Sequence, residues 1–123
     1  MTDPLIYLVD DDQAVAESLT VLLESDDYQV RVHSSGEQFL ADEERHHASV
    51  LILDVKLNGI DGLELLRRLR TEQGFAPPVV MISGHADGES RQRAFDLGAV
   101  AFLSKPFSGD QLLNTIQSAL AGH

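Results

Sequence analysis

The chain has 123 residues, no cysteine, and nine Lys plus Arg against twenty Asp plus Glu, a net charge of −11. That length suits one domain, 1–123, whose core needs no covalent staple, and the missing thiols exclude disulfides and thiolate metal sites and fit a reducing cytosol, so a cytoplasmic location is expected. The acidic balance repels nucleic acid phosphate and favours cations or basic surfaces; direct nucleic acid binding is not expected, and neither is a signal peptide or membrane span.

Apolar strand-like runs alternate with helical patterns, which argues for five βα units on a parallel sheet. Leu5 to Val9 leads through Asp10 and Asp11 into a helix from about Asp12 to Ser25, with Val15, Leu19, Leu22 and Leu23 on one face. Gln29 to His33 alternates polar and apolar residues, as a strand near an edge does. Ser34 and Ser35 stand three residues before Glu37 and Gln38, the spacing of a capping box for a brief second helix. Asp42 to His47 is polar and is expected to be a solvated helix end, with His46 and His47 set aside as ligands.

Val50 to Leu53 is apolar throughout and ends in Asp54, as a central strand covered on both faces would. Asn58-Gly59 and Asp61-Gly62 mark a turning loop before a helix with Leu63, Leu66 and Leu69 inward and Arg67, Arg68 and Arg70 largely outward. Pro77-Pro78 precedes a fourth strand, Val79 to Ile82, which ends in Ser83. Asp87 can start a helix that stops at Gly98, expected at positive φ. A fifth strand, about Ala101 to Ser104, leads through Lys105-Pro106 to Ser108, which with Gln111 can cap a last helix carrying Leu112, Leu113, Ile116 and Leu120.

Four strand ends thus carry Asp10 and Asp11, Asp54, Ser83 and Lys105, and in an open parallel sheet the crevice outside those ends is where ligands bind. Two carboxylates about 4 Å apart repel by roughly 4 kcal/mol at an effective dielectric of about 20, so a cation is the natural compensation. Oxygen-only donors suit a hard divalent ion such as Mg²⁺. Lys105 could pair with Asp54 at rest and with a phosphoryl oxygen later, Ser83 could donate to another, and Asp54 would be a nucleophile forming an acyl phosphate. Each residue alone has a plainer reading: Asp12 as a helix cap, Asp54 and Ser83 as turn or cap residues, Lys105 as a surface lysine, and Phe102 as core packing.

Taken together, Tyr7-Leu8-Val9-Asp10-Asp11, Leu53-Asp54, Ile82-Ser83-Gly84-His85 and Phe102-Leu103-Ser104-Lys105-Pro106-Phe107 closely resemble the receiver domain of two-component response regulators. The segment from Gly98 to Phe107 looks most like the FixJ-type branch of transcriptional regulators. The resemblance implies a flavodoxin-like (βα)₅ fold of strand order 2-1-3-4-5. It further implies that Asp54 accepts a phosphoryl group from a sensor histidine kinase and that Asp10, Asp11, Asp54 and the Lys56 backbone carbonyl hold Mg²⁺. Ser83 and Lys105 would hold phosphoryl oxygens, and Phe102 would be the aromatic that turns in the switch. The output would be a changed face of the fourth helix, fifth strand and fifth helix, with transcription as the controlled process and phosphorylation-dependent homodimerisation as its route.

Three departures from the family pattern stand out. Leu57-Asn58 replaces the common Met-Pro, restoring a backbone donor and predicting a looser loop. Ser83 replaces the commoner Thr and loses a methyl that restricts rotamers. Lys56 and His85 stand two residues beyond Asp54 and Ser83, where family members tune hydrolysis of the acyl phosphate. A single-domain phosphorelay intermediate and a phosphorylation-independent scaffold are the alternative functions. A Mg²⁺-dependent aspartyl phosphatase is disfavoured because Val55-Lys56 supplies no general acid.

Overall fold

Continuous apolar runs become strands in this chain, and apolar residues recurring at every third or fourth position become the helices that cover them. The computed structural model describes residues 3–84 and 88–122. In chain order the elements are β1 (Leu5–Val9), α1 (Gln13–Ser25), β2 (Gln29–His33), α2 (Gly36–Ala41), a 3₁₀ turn (Arg45–His47), β3 (Val50–Asp54), α3 (Gly62–Thr71), β4 (Val79–Ser83), α4 (Gly88–Asp96), β5 (Ala101–Ser104) and α5 (Gly109–Leu120). All strands pair in parallel in the order β2-β1-β3-β4-β5, the order the resemblance implies. The patchily exposed β2 lies at an edge, whereas β3 and β4 are buried at every position.

Side chains alternate across the sheet and feed two apolar layers. Tyr7, Val9, Leu51, Leu53, Met81 and Phe102 join the leucines of α3 and Ala94 of α4. On the other face Ile6, Leu8, Ile52, Ile82 and Leu103 meet Leu19 and Leu23 of α1 and Leu112 and Ile116 of α5. With both faces of β3 and β4 covered, the polar side chains of these central strands stand at their carboxyl ends. Asp12, Ser35, Asp61 and Ser108 cap α1, α2, α3 and α5 through their side-chain oxygens, and Gly98 has φ +95°, as its helix-stop position predicts. Asp87, read as the start of α4, lies outside the described residues.

Three local expectations are corrected. Ser34 does not cap α2: its N–H and Oγ donate to Gln38 Oε1, and Glu37 accepts instead from the Ile60 amide. Asp42 is no solvated helix end, because its carboxylate accepts from Tyr7 Oη at 3.1 Å and lies 2.9 Å from His33 Nε2. Arg70 does not point outward: it donates to the Phe75 and Gly98 carbonyls, where burial lowers its pKa and those carbonyls supply the partners water would have been.

Candidate functional site

The carboxyl ends of β1, β3, β4 and β5 converge on one crevice, because register sets Val9 beside Leu53, Asp54 beside Ile82, and Ser83 beside Ser104. Asp10, Asp54 and Ser83 are the buried polar or charged residues there, at 1%, 5% and 2% exposure. Lys105 reaches in from beyond β5, its Nζ donating to Asp54 Oδ2 at 2.8 Å and to Asp10 Oδ2 at 3.4 Å. The other oxygens are held by the backbone: Asp10 Oδ1 accepts from the Asp12 amide at 2.9 Å and Asp54 Oδ1 from the Lys56 amide at 3.0 Å. The Lys105 amide also donates to the Ser83 carbonyl at 2.6 Å, tying the ends of β4 and β5 together.

Close packing fixes where Asp54 sits. The Gly62 amide donates to the Val55 carbonyl at 2.8 Å, and a Cβ at Gly62 would overlap the Asp54 carbonyl. Only glycine lets α3 start this close to β3. Sequence reasoning read Asp61-Gly62 as a turn signal without seeing that contact.

Burial pushes the Asp10 carboxyl upward and the nearby Asp54 charge pushes it further, against the opposing pull of the Asp12 amide and Lys105. For the Lys105 ammonium burial acts downward, but hydrogen bonds and attraction from Asp54 and Asp10 outweigh it and raise its pKa. Two buried carboxylates, Asp10 and Asp54, therefore share one lysine charge, and Asp11 follows Asp10 in the chain. The hard oxygen donors and this uncompensated negative charge suit a divalent cation such as Mg²⁺. Among the described residues, however, no three His, Asp or Glu side chains already surround a common ion position.

The structure brings together Asp10, Asp54, Ser83 and Lys105, and sets Asp11 at the rim. Asp11 Oδ2 accepts from the Asn58 amide at 3.0 Å, so the donor restored by losing the family's proline is in use and fastens the loop that sequence alone predicted to be looser. Lys56 is exposed at the loop's start, and Phe102 is buried on the α4 side of β5. His85 lies outside the described residues. Glu37 went unnoticed as a loop partner because its spacing from Ser34 fitted a cap; its other neighbour in space, Ile60, is 23 positions away.

The sequence matches the response regulator receiver domain over residues 6–117. It is 41% identical over 116 residues to the response regulator protein TodT of Pseudomonas putida, covering 94% of this chain and 51% of TodT. It is 38% identical to the transcriptional regulatory protein FixJ of Bradyrhizobium diazoefficiens, covering 94% of this chain and 56% of FixJ. The chain thus spans about half the length of these relatives. Among solved structures, a CheY-like receiver domain protein from Methanospirillum hungatei superposes with a TM-score of 0.87 at 29% identity, covering 97% of this chain and 94% of that one. A receiver protein from Pseudoalteromonas atlantica gives 0.88 at 29% identity, covering 97% and 98%. With the parallel five-stranded sheet and its acidic crevice, these matches make the chain a member of the response regulator receiver domain family, the signalling-switch module of two-component systems.

Proposed function

We propose that Asp54 accepts a phosphoryl group from a sensor histidine kinase and that residues 1–123 act as one receiver domain switching an output. The observation that carries this reading is the pair of hydrogen bonds from Lys105 to Asp54 and Asp10: an ammonium already shared by two buried carboxylates can follow charge as it moves onto a phosphoryl group. An Asp54 oxygen forms the new bond to phosphorus while the bond from phosphorus to the kinase imidazole nitrogen breaks. Asp10, Asp11, Asp54 and the Lys56 carbonyl would hold Mg²⁺, which would offset charge on the transferring oxygens. Ser83 Oγ and Lys105 Nζ hold two phosphoryl oxygens in the product. No external substrate is turned over; the chain promotes its own phosphotransfer and the later attack of water.

Phosphorylation adds about −1.5 to −2 charges and three acceptor oxygens, enough to draw Ser83 inward and free space for Phe102 to turn. The affected face is that of α4, β5 and α5, where Phe95 and Val100 are exposed and a cavity of about 320 Å³ lies between Val100, Ala101, Asn114 and Ser118. The name of FixJ, a transcriptional regulatory protein, supports regulation of transcription as the output; a homodimer formed through this face is the proposed route. Lys56 and His85 tune the phosphoryl lifetime, Lys56 by crowding its approach; Lys56→Ala should lose phosphate faster.

Intact-protein mass after incubation with acetyl phosphate and Mg²⁺ tests the reading. A Mg²⁺-dependent gain of one phosphate that Asp54→Ala abolishes is the expected result. No gain under any condition would replace it with a phosphorylation-independent scaffold.

A further inference from the structure

The loop between β3 and α3 presents backbone N–H groups on alternate residues, each to a different carboxylate. Lys56 donates to Asp54 Oδ1 at 3.0 Å, Asn58 to Asp11 Oδ2 at 3.0 Å, and Ile60 to Glu37 Oε2 at 3.3 Å. Two of these acceptors belong to the acidic crevice, and the third stands on α2. Gly59, at φ +78°, makes the third approach possible, since a Cβ there would collide with the Glu37 carboxylate. Bonds from an amide to an ionised carboxylate are stronger than neutral ones, so the loop is fastened at three points by charge.

We infer that the Asn58 amide and Mg²⁺ compete for the Asp11 carboxylate, so that metal loading unfastens the middle of this loop while Glu37 keeps its far end attached. The inference rests on the proposed reading of Asp11 as a metal ligand. Mg²⁺ demands near-octahedral geometry and a close approach of its ligands. Asp11 Oδ2 is held on the Asn58 amide, so bringing that oxygen to an ion shared with Asp10 and Asp54 breaks the bond to Asn58. A proline at this position could not make the resting bond, because it has no N–H. Asn58 is therefore a positioning residue acting through its backbone, and Glu37 limits how far the released loop can travel.

Amide-resolved NMR on the unphosphorylated chain, titrated with Mg²⁺ alone, tests this. Saturating Mg²⁺ should speed hydrogen exchange of the Asn58 amide about fivefold or more while leaving Ile60 unchanged. Asn58→Pro should bind Mg²⁺ about fivefold more tightly, the size expected when one competing charge-assisted bond at an exposed site is lost, and Asn58→Ala, which keeps the N–H, should bind as the native chain does. Mg²⁺ binding that leaves Asn58 exchange unchanged overturns the competition while sparing the metal-site reading. Equal tightening by Asn58→Ala would also overturn it, because the side chain would then be responsible. No Mg²⁺ binding by the native chain at millimolar concentrations overturns both readings. If Asn58→Pro does not fold, the exchange measurement on the native chain decides alone.

Discussion

Two charged clusters in this domain are built from the same materials and are balanced in opposite ways. At the strand ends, Asp10 and Asp54 share one ammonium with Asp11 at the rim, and burial with a neighbouring carboxylate drives the Asp10 carboxyl upward. On the α2 side of β1 and β2, Asp42 accepts from Tyr7 Oη, meets His33 Nε2 and receives the Glu44 amide at 2.8 Å. Arg31 stands 3.6 Å from the same carboxylate and 3.2 Å from Glu44. Burial would raise the Asp42 pKa, but the bonds from His33, the Glu44 amide and Tyr7, with the Arg31 charge, together hold it at about 2. The stacked Tyr7 and His33 rings, with centroids 5.9 Å apart, close that cluster. A cluster whose charges are satisfied internally fastens a fold. One left with excess charge has room in its electrostatics for a ligand.

Removing a cation from the unbalanced cluster should have the largest effect. Lys105→Ala would leave Asp10 and Asp54 facing each other without their shared donor and should destabilise the metal-free chain by about 2–3 kcal/mol, below the full loss for a wholly buried pair because Lys105 is partly exposed. Millimolar Mg²⁺ should restore much of that stability in a urea titration, since a ligand that binds only the folded state shifts the unfolding midpoint. Equal stability with and without Mg²⁺ would break the contrast between the clusters.

Asp42→Asn should destabilise by about 1–2 kcal/mol by weakening charge-assisted bonds from Tyr7 and His33, and Mg²⁺ should not repair it. Opposite in sign, Asp10→Asn should stabilise the metal-free chain by about 0.5–1 kcal/mol, because it relieves repulsion with Asp54 that one ammonium does not cancel, and it should weaken Mg²⁺ binding. Thermal unfolding with and without the ion reads both signs at once. Asp42 also bears on acid stability. Because the folded pKa of Asp42 is depressed, its contribution is complete above about pH 4, the ordinary carboxylate range, and is lost as pH falls towards about 2. The native chain should therefore lose more stability than Asp42→Asn between about pH 4 and pH 2.

These clusters also mark how far the sequence could be read. Asp10, Asp54, Ser83 and Lys105 were legible because each follows an apolar run at a strand end, and a parallel sheet gathers such ends whatever the loops do. Asp42 was not, since it sits in a polar stretch whose partners, Tyr7 and His33, come from strands 35 and 9 positions away. Arg70 looked like an outward helix residue because periodicity identifies an apolar face but says nothing of carbonyls left open by neighbouring loops. Asn58 was recognised as a restored donor, but its acceptor is fixed only once β1 and β3 lie side by side.

The hydrogen bond from the Lys105 amide to the Ser83 carbonyl has a consequence for anyone redesigning this crevice. It makes the hydroxyl and the ammonium two prongs of a single fork, because the backbone carrying one is bonded to the backbone carrying the other. Shifting β4 to bring Ser83 closer to an occupant moves Lys105 along with it, so backbone remodelling cannot tune the prongs separately. Independent adjustment is left to side-chain length and shape, with Ser83→Thr at one prong and Lys105→Arg at the other as the simplest changes.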